Sequence, residues 1–259
     1  MAVATNKTEP LVPEQLAEML ALAKQSDSVE LKLTVPDTDQ RSAITALNMD
    51  PLDAQVRQVF FLDTPDLSLN KQGVVVRARR IQGRTHDSVV KLRPVVPDML
   101  PAKIRTSPSL TTEVDAMPGG FVCSAAMKSE VDPTLIRAVV AGQKPVRKLF
   151  SKEQRAFYSE YAGDTELESL SVLGPINLLK LKFSPKALGR RMVAEAWFYP
   201  DGSRILELST KCTPADAIQV AAETRAYLDK RGVNLTGEQQ TKTATALKFF
   251  SAELAGTKS

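Results

Sequence analysis

The sequence predicts an α+β protein built on one closed or nearly closed β-sheet with helices packed outside it. Strand-like segments recur along the whole chain, with no linker between two halves. Many of them alternate charge with apolar side chains: Ser28-Val29-Glu30-Leu31-Lys32-Leu33, Val76-Arg77-Ala78-Arg79, Val89-Val90-Lys91-Leu92-Arg93, Glu113-Val114-Asp115, Leu179-Lys180-Leu181-Lys182-Phe183 and Leu206-Glu207-Leu208-Ser209-Thr210-Lys211. The charges are also sorted by sign, with cation pairs on some strands and an acid pair on another. Residues i and i+2 of a strand share a face, and like charges opposed across a ladder repel. Several cation pairs in one sheet therefore predict something anionic against the charged face. A sheet whose polar face is merely wetted alternates too, but such faces mix signs, whereas segregated charge directs a field at a partner.

Taken in order, residues 1–12 read as a disordered tail. Pro13 to Lys24 has apolar spacing at Leu16, Met19, Leu20 and Ala23 behind an early proline, which predicts an amphipathic helix. A strand follows at 28–35, then a short helix over 38–48 begun by Thr38 or Asp39. Gln55–Asp63 is a second strand, and Asp63-Thr64-Pro65-Asp66 ends it in a turn. Strands at 74–81 and 87–95 come next, then a proline-rich loop from Pro94 to Pro108 and the acid strand at 111–116. Segments 120–130 and 133–141 read as helical and irregular by turns, and Lys148–Ala162 fits either helix or strand. Three strands span 176–212, the last two joined at Tyr199-Pro200-Asp201-Gly202-Ser203. A helix opens at Thr213-Pro214-Ala215-Asp216 and runs to about Lys230. A C-terminal helix over 237–254 carries Thr241, Lys242 and Thr243 near its start, and residues 13–254 are expected to form a single domain.

Composition narrows the chemistry. Of 259 residues, 43% are hydrophobic, enough for a core. The net charge of +4 suits a local anion site better than a long nucleic-acid track. Two cysteines, Cys123 and Cys212, are too few for a disulfide framework and lack metal-ligand spacing. The lone histidine, His86, lies in a polar hairpin, which sets histidine chemistry aside. No signal peptide or membrane span is legible, so a cytoplasmic protein is expected.

One further pattern has a known counterpart. Phe60-Phe61-Leu62-Asp63-Thr64-Pro65-Asp66-Leu67 followed by Gly73-Val74-Val75-Val76-Arg77-Ala78-Arg79 resembles the second and third strands of CYTH domains, the triphosphate tunnel metalloenzymes. Val90-Lys91-Leu92-Arg93, Glu113-Val114-Asp115, a glutamate-centred last strand and a closing Thr-Lys-Thr helix follow in the family order, so the likeness covers about residues 28–250. The resemblance implies an eight-stranded antiparallel closed barrel whose lumen binds a triphosphate or polyphosphate, with Mg²⁺ or Mn²⁺ as cofactor. It implies a metal-dependent triphosphatase, or else a binding module with a degraded metal site. Adenylate cyclisation, a further activity of the family, is not favoured, since nothing reads as base recognition.

The same resemblance implies site roles. Lys32, Arg77, Arg79, Lys91, Arg93, Lys180, Lys182 and Lys211 would hold phosphate, although Lys32 and Lys211 could instead form cross-strand ion pairs. Glu30 and Glu207 would be the catalytic metal ligands, with Glu113 and Asp115 next and Glu195 a possible addition. Two departures stand out: Ser28 and Ser209 occupy positions where the family carries glutamates, and serine is a weak ligand for a hard divalent ion.

Overall fold

The computed structural model describes residues 11–235 and 242–256. Nine strands close into one barrel: β1 (Ser28–Val35), β2 (Gln55–Asp63), β3 (Val74–Ile81), β4 (His86–Leu92), β5 (Leu110–Met117), β6 (Gly120–Val131), β7 (Ser171–Phe183), β8 (Met192–Phe198) and β9 (Arg204–Cys212). Their order around the ring is β1-β5-β6-β4-β3-β2-β7-β8-β9, and β9 returns to β1. Eight of these junctions are antiparallel, and β1–β5 alone is parallel. The parity is geometric. Strand direction must come back to itself around a closed ring, so an odd number of strands requires a parallel pair.

The expected closed barrel is present, with one strand more than the expected eight. The additional strand is β6, within the stretch read as helical or irregular. Its sequence, Gly-Phe-Val-Cys-Ser-Ala-Ala-Met-Lys-Ser-Glu-Val, shows no clean alternation because both of its faces are largely buried. A strand covered on both sides loses the period-2 signal.

Among the described residues, eight α-helices accompany the barrel: α1 (Pro13–Lys24), α2 (Gln40–Ala46), α3 (Ser68–Lys71), α4 (Ala102–Arg105), α5 (Pro133–Val140), α6 (Lys152–Tyr161), α7 (Ala217–Lys230) and α8 (Lys242–Gly256). The ambiguous segment 148–162 is thus mainly helical. Ser151 accepts from the Gln154 backbone N–H while the Gln154 side chain caps Ser151 in return. Gln154 also donates to the carbonyls of Ser88 and Met127, which pins α6 to the sheet. Positions 1–10 and 237–241, expected as tail and helix start, lie outside the described residues.

Alternation divides each wall into two faces. Phe60, Leu62, Val76, Ala78, Val90 and Met127 point outward and form a core with α5 and α6. Val35, Leu181, Ala194, Leu206 and Leu208 do the same beneath α2 and α7, and Val29, Val114 and Cys123 beneath α1. The opposite set faces the lumen, and there the barrel has two ends of different character. Val59, Phe61, Leu173, Ile176, Trp197 and Ile205 make an apolar end, and α8 seats Ala246, Leu247 and Phe250 on it. The other part of the lumen carries the charges.

Candidate functional site

The charged part of the lumen holds a cavity of about 470 Å³. Its wall includes the cations Lys32, Arg57, Arg77, Arg79, Lys91, Arg93, Lys180 and Lys242 and the acids Glu113, Glu195 and Glu207. The register explains the convergence. Val59 faces Arg79 and Phe61 faces Arg77 across β2 and β3, while Lys180 faces Glu195 and Glu195 faces Glu207 across β7, β8 and β9. Gly73 lets the β3 start approach the end of β4: with φ +78° it accepts from the Arg93 N–H at 2.8 Å, and a Cβ there would meet the Arg93 carbonyl at 2.5 Å.

The eight cations are not equivalent. Arg79 forks onto Asp87 at 2.6 and 2.8 Å, Arg93 donates to Asp115 at 2.8 Å, and Lys32 pairs with Asp115 at 2.7 Å and with Glu30 at 3.2 Å. Lys180 bonds Glu195 at 2.7 Å. Arg57 and Arg77 pair with no carboxylate among the described residues; Arg57 donates instead to Gln55, and the Arg77 Nε has no hydrogen-bond partner. Lys91 comes no closer than 3.9 Å to Asp115. Burial, reinforced by the Arg79 charge, pushes the Arg77 guanidinium down to about 10. Burial also brings the Lys91 ammonium down to about 8, against the pull of Asp115. Arg57, Arg77 and Lys91 thus form an electropositive wall in which the arginines pair with no carboxylate among the described residues and Lys91 meets Asp115 only at 3.9 Å, the electrostatic condition for capturing an anion.

The acids form two groups on either side of β1. Glu30, Glu113 and Asp115 each offer a carboxylate oxygen within 4.8 Å of the others. The parallel β1–β5 register makes this group, setting Glu30 against Asp115 and Ser28 against Glu113. Asp115 is fully buried, and although burial alone would raise its pKa, Lys32, Lys91 and Arg93 hold it well below the usual carboxylate range. Glu30 is lowered as well: burial and Asp115 would raise it, but Lys32, the Ser209 hydrogen bond and Lys242 together bring it down. The two serines at departing positions now support these acids: Ser209 donates to Glu30 at 2.9 Å and Ser28 to Glu113 at 3.4 Å. Three hard oxygens so grouped could hold a divalent cation.

The second group is Glu195 and Glu207. The Lys242 ammonium, carried by the first residue of α8, lies 2.6 Å from Glu195 Oε2 and 2.7 Å from Glu207 Oε1. It also sits 5.2 Å from the Trp197 ring centroid, and Trp197 Nε1 donates to Glu195 at 3.2 Å. Burial alone would depress Lys242, yet Glu195 and Glu207 raise it. Burial would raise Glu195, yet Lys242 and Lys180 hold it well below its ordinary value.

Of the expected phosphate ligands, Lys32, Arg77, Arg79, Lys91, Arg93 and Lys180 line the cavity. Lys182 is exposed and does not line it, and Lys211 is exposed and pairs with Glu113. Of the last strand's other polar residues, Glu207 and Ser209 face inward, and Ser209 donates to Glu30. Glu207 does line the cavity but stands outside the Glu30–Glu113–Asp115 group. Sequence reasoning missed Arg57, Asp87 and the lumenal role of Lys242. Arg57 shares a strand face with Val59 and Phe61, and Asp87 continues the Lys91–Arg93 face, so strict alternation could have found both. Lys242 had no such signal, because it enters from a helix that the barrel register does not constrain.

These features define a class: a closed, basic β-tunnel of CYTH-like fold. Solved structures agree. A putative adenylyl cyclase from Hippeastrum with a dominant triphosphatase activity superposes with a TM-score of 0.63 at 17% identity, over 85% of this chain and 94% of that one. A putative adenylate cyclase from Bacillus halodurans gives 0.60 at 13% identity, over 85% and 97%. No protein-family model and no curated protein matches the sequence. Among the described residues no helix is long and apolar enough to cross a membrane.

Proposed function

We propose that the lumen binds the triphosphate group of inorganic triphosphate or of a triphosphate-containing compound and hydrolyses it with a divalent cation. The observation that carries this reading is the trio Arg57, Arg77 and Lys91 in the tunnel wall, half-buried, with no carboxylate paired to either arginine among the described residues and only Asp115, at 3.9 Å, near the lysine. The arginine forks match phosphate oxygens in pairs, and the Lys91 ammonium adds a point charge. Arg79 and Arg93, tied to Asp87 and Asp115, stiffen the wall and extend its field. The triphosphatase activity of the Hippeastrum protein supports the same substrate chemistry.

Glu30, Glu113 and Asp115 would hold the metal, with Ser209 and Ser28 orienting two of the carboxylates. When bound, Mg²⁺ or Mn²⁺ would neutralise charge developing on the transferred phosphoryl group and orient the attacking water. The chain's own part is to hold the phosphates in line, exclude bulk water, and supply positive charge where oxygen charge grows.

A second reading, capture without turnover, is favoured by a specific observation: all five carboxylates of the two groups already contact a Lys or Arg side chain or lie beside one. Calorimetric titration of inorganic triphosphate with chelator, Mg²⁺ or Mn²⁺, run beside a phosphate-release assay, separates the readings. Metal-stimulated release is expected. Tight binding with no release under any metal establishes capture, and no binding at all rejects both.

A further inference from the structure

The Glu195–Glu207 pair raises a separate question. Two glutamates facing each other across neighbouring strands repel, and both lie in a tunnel wall where desolvation makes that repulsion costly. Such a pair needs a cation between its oxygens, and a divalent ion would be the obvious one in a site of this kind. Here the cation belongs to the chain. The Lys242 ammonium touches one oxygen of each glutamate, at 2.6 and 2.7 Å, and has the Trp197 face at 5.2 Å. The lysine side chain is only 13% exposed.

The position is built from outside the barrel wall. Tyr199 donates to the Lys242 carbonyl at 3.1 Å, which fixes the first turn of α8. Ala246, Leu247 and Phe250, all buried, anchor the same helix on the apolar lumen end. Ser251 donates to the Pro65 carbonyl at 2.7 Å. With the backbone held at several points, the ammonium is delivered at high effective concentration, because the entropy of placing it has been met by helix docking.

We propose that Lys242 is the resident cation of the Glu195–Glu207 pair and excludes divalent metal from it, confining metal to the group on β1 and β5. Lys242 is therefore a specificity-determining residue: α8 fixes which acids of the lumen are open to metal. The inference does not depend on what the lumen hydrolyses, since it concerns only which cation the two glutamates accept.

The chain supplies its own reporter. Trp197 is the only tryptophan, and it touches both Glu195 and Lys242, so a lanthanide bound at this pair would be sensitised by tryptophan excitation. Tb³⁺ is titrated, in the absence of any phosphate compound, into the wild type and the Lys242→Met, Lys242→Arg and Glu207→Gln variants. The wild type and Lys242→Arg are expected to show no Glu207-dependent luminescence. Lys242→Met, which keeps length and removes charge, should gain a signal at least tenfold above wild type, and Glu207→Gln added to it should abolish that gain. A wild-type signal that Glu207→Gln removes would overturn the proposal, and so would a folded Lys242→Met variant with no gain. If Lys242→Met does not fold, the wild type against Glu207→Gln still decides: equal signals support the resident lysine, and a signal lost with the glutamate refutes it. Failure of triphosphate binding would leave these outcomes untouched, so the two readings fail separately.

Discussion

The acids on the two sides of β1 are neutralised in different ways, and the difference separates stability from chemistry. On the β1–β5 side, Asp115 is locked at its centre by Lys32 from the neighbouring β1 and by Arg93 from just beyond the end of β4, while Glu30 and Glu113 stay partly exposed, at 23% and 19% of their side chains. The barrel register sets this group, so it persists wherever the barrel is folded. On the β8–β9 side, the counter-charge for Glu207 comes from α8, an element that the ladder does not hold. One group is wired into the sheet, and the other depends on a helix staying docked.

The largest expected effect tests the wired group. Asp115→Asn leaves Lys32 and Arg93 facing each other without their shared anion, and breaking a buried pair costs about 3–5 kcal/mol. Urea unfolding should show that loss, and a change below about 1 kcal/mol would mean that the group is not structurally tied in.

Next comes the contrast between adjacent arginines. Arg77→Ala removes a fork with no carboxylate partner, so triphosphate affinity should fall roughly 10- to 100-fold, the equivalent of about 1.5–3 kcal/mol for a charged hydrogen bond. Arg79→Ala strips a buried Asp87 of its bidentate partner, so it should lower the melting temperature more than Arg77→Ala does. Calorimetry and thermal melts on the two variants check this, and the reverse ranking would undo the division between paired and unpaired cations.

A pH scan sharpens the comparison further. Asp115, Glu30 and Glu195 have depressed folded pKa values. Their contribution is present above the unfolded values near 4 and is lost as pH falls through the folded ones. Lys32 and Lys242 are raised, so their contribution is present below the unfolded value near 10.4 and is lost as pH rises through the folded one. Lys91 runs the other way. With its folded value near 8, it is disfavoured as a cation, and the strain it imposes is relieved between about pH 8 and 10.4. Triphosphate should restore its proton, so binding near pH 8.5 should take up more protons in the wild type than in Lys91→Arg, as read by calorimetry in buffers of different ionisation enthalpy.

The smallest effect is expected at the rim. Lys182 is exposed, and solvent screens its charge, so Lys182→Ala should change triphosphate affinity by less than about twofold. A larger loss would extend the site beyond the cavity.

Much of this was legible in the sequence because alternation encodes a strand's faces directly. Arg77 with Arg79 and Glu113 with Asp115 could be placed on common faces from spacing alone, and the barrel assembled them as spacing implied. β6 escaped because it is covered on both faces. Lys182 was misplaced because alternation gives a residue's face without its depth: it follows Lys180 by two positions yet lies beyond the cavity. Nor does a strand pattern say which cation meets which acid. The division between Arg77, unpaired, and Arg79, paired with Asp87, arises from side-chain reach across β3 and β4 and could not be read from two similar arginines.

The single parallel junction has a consequence for how the molecule comes together. β1 contacts β5 across 85 positions at Ser28–Glu113 and β9 across 183 at Val29–Cys212. Contacts so distant along the chain are costly to form and slow to find. β1 also carries Glu30 and Lys32, so neither acid group has its full surroundings until this strand has docked on both sides. The seam and the site are completed by the same step. Amide exchange along β1 should therefore report the integrity of the tunnel, and a polyanion that bridges the walls should slow exchange there together with β5 and β9, as one cooperative unit.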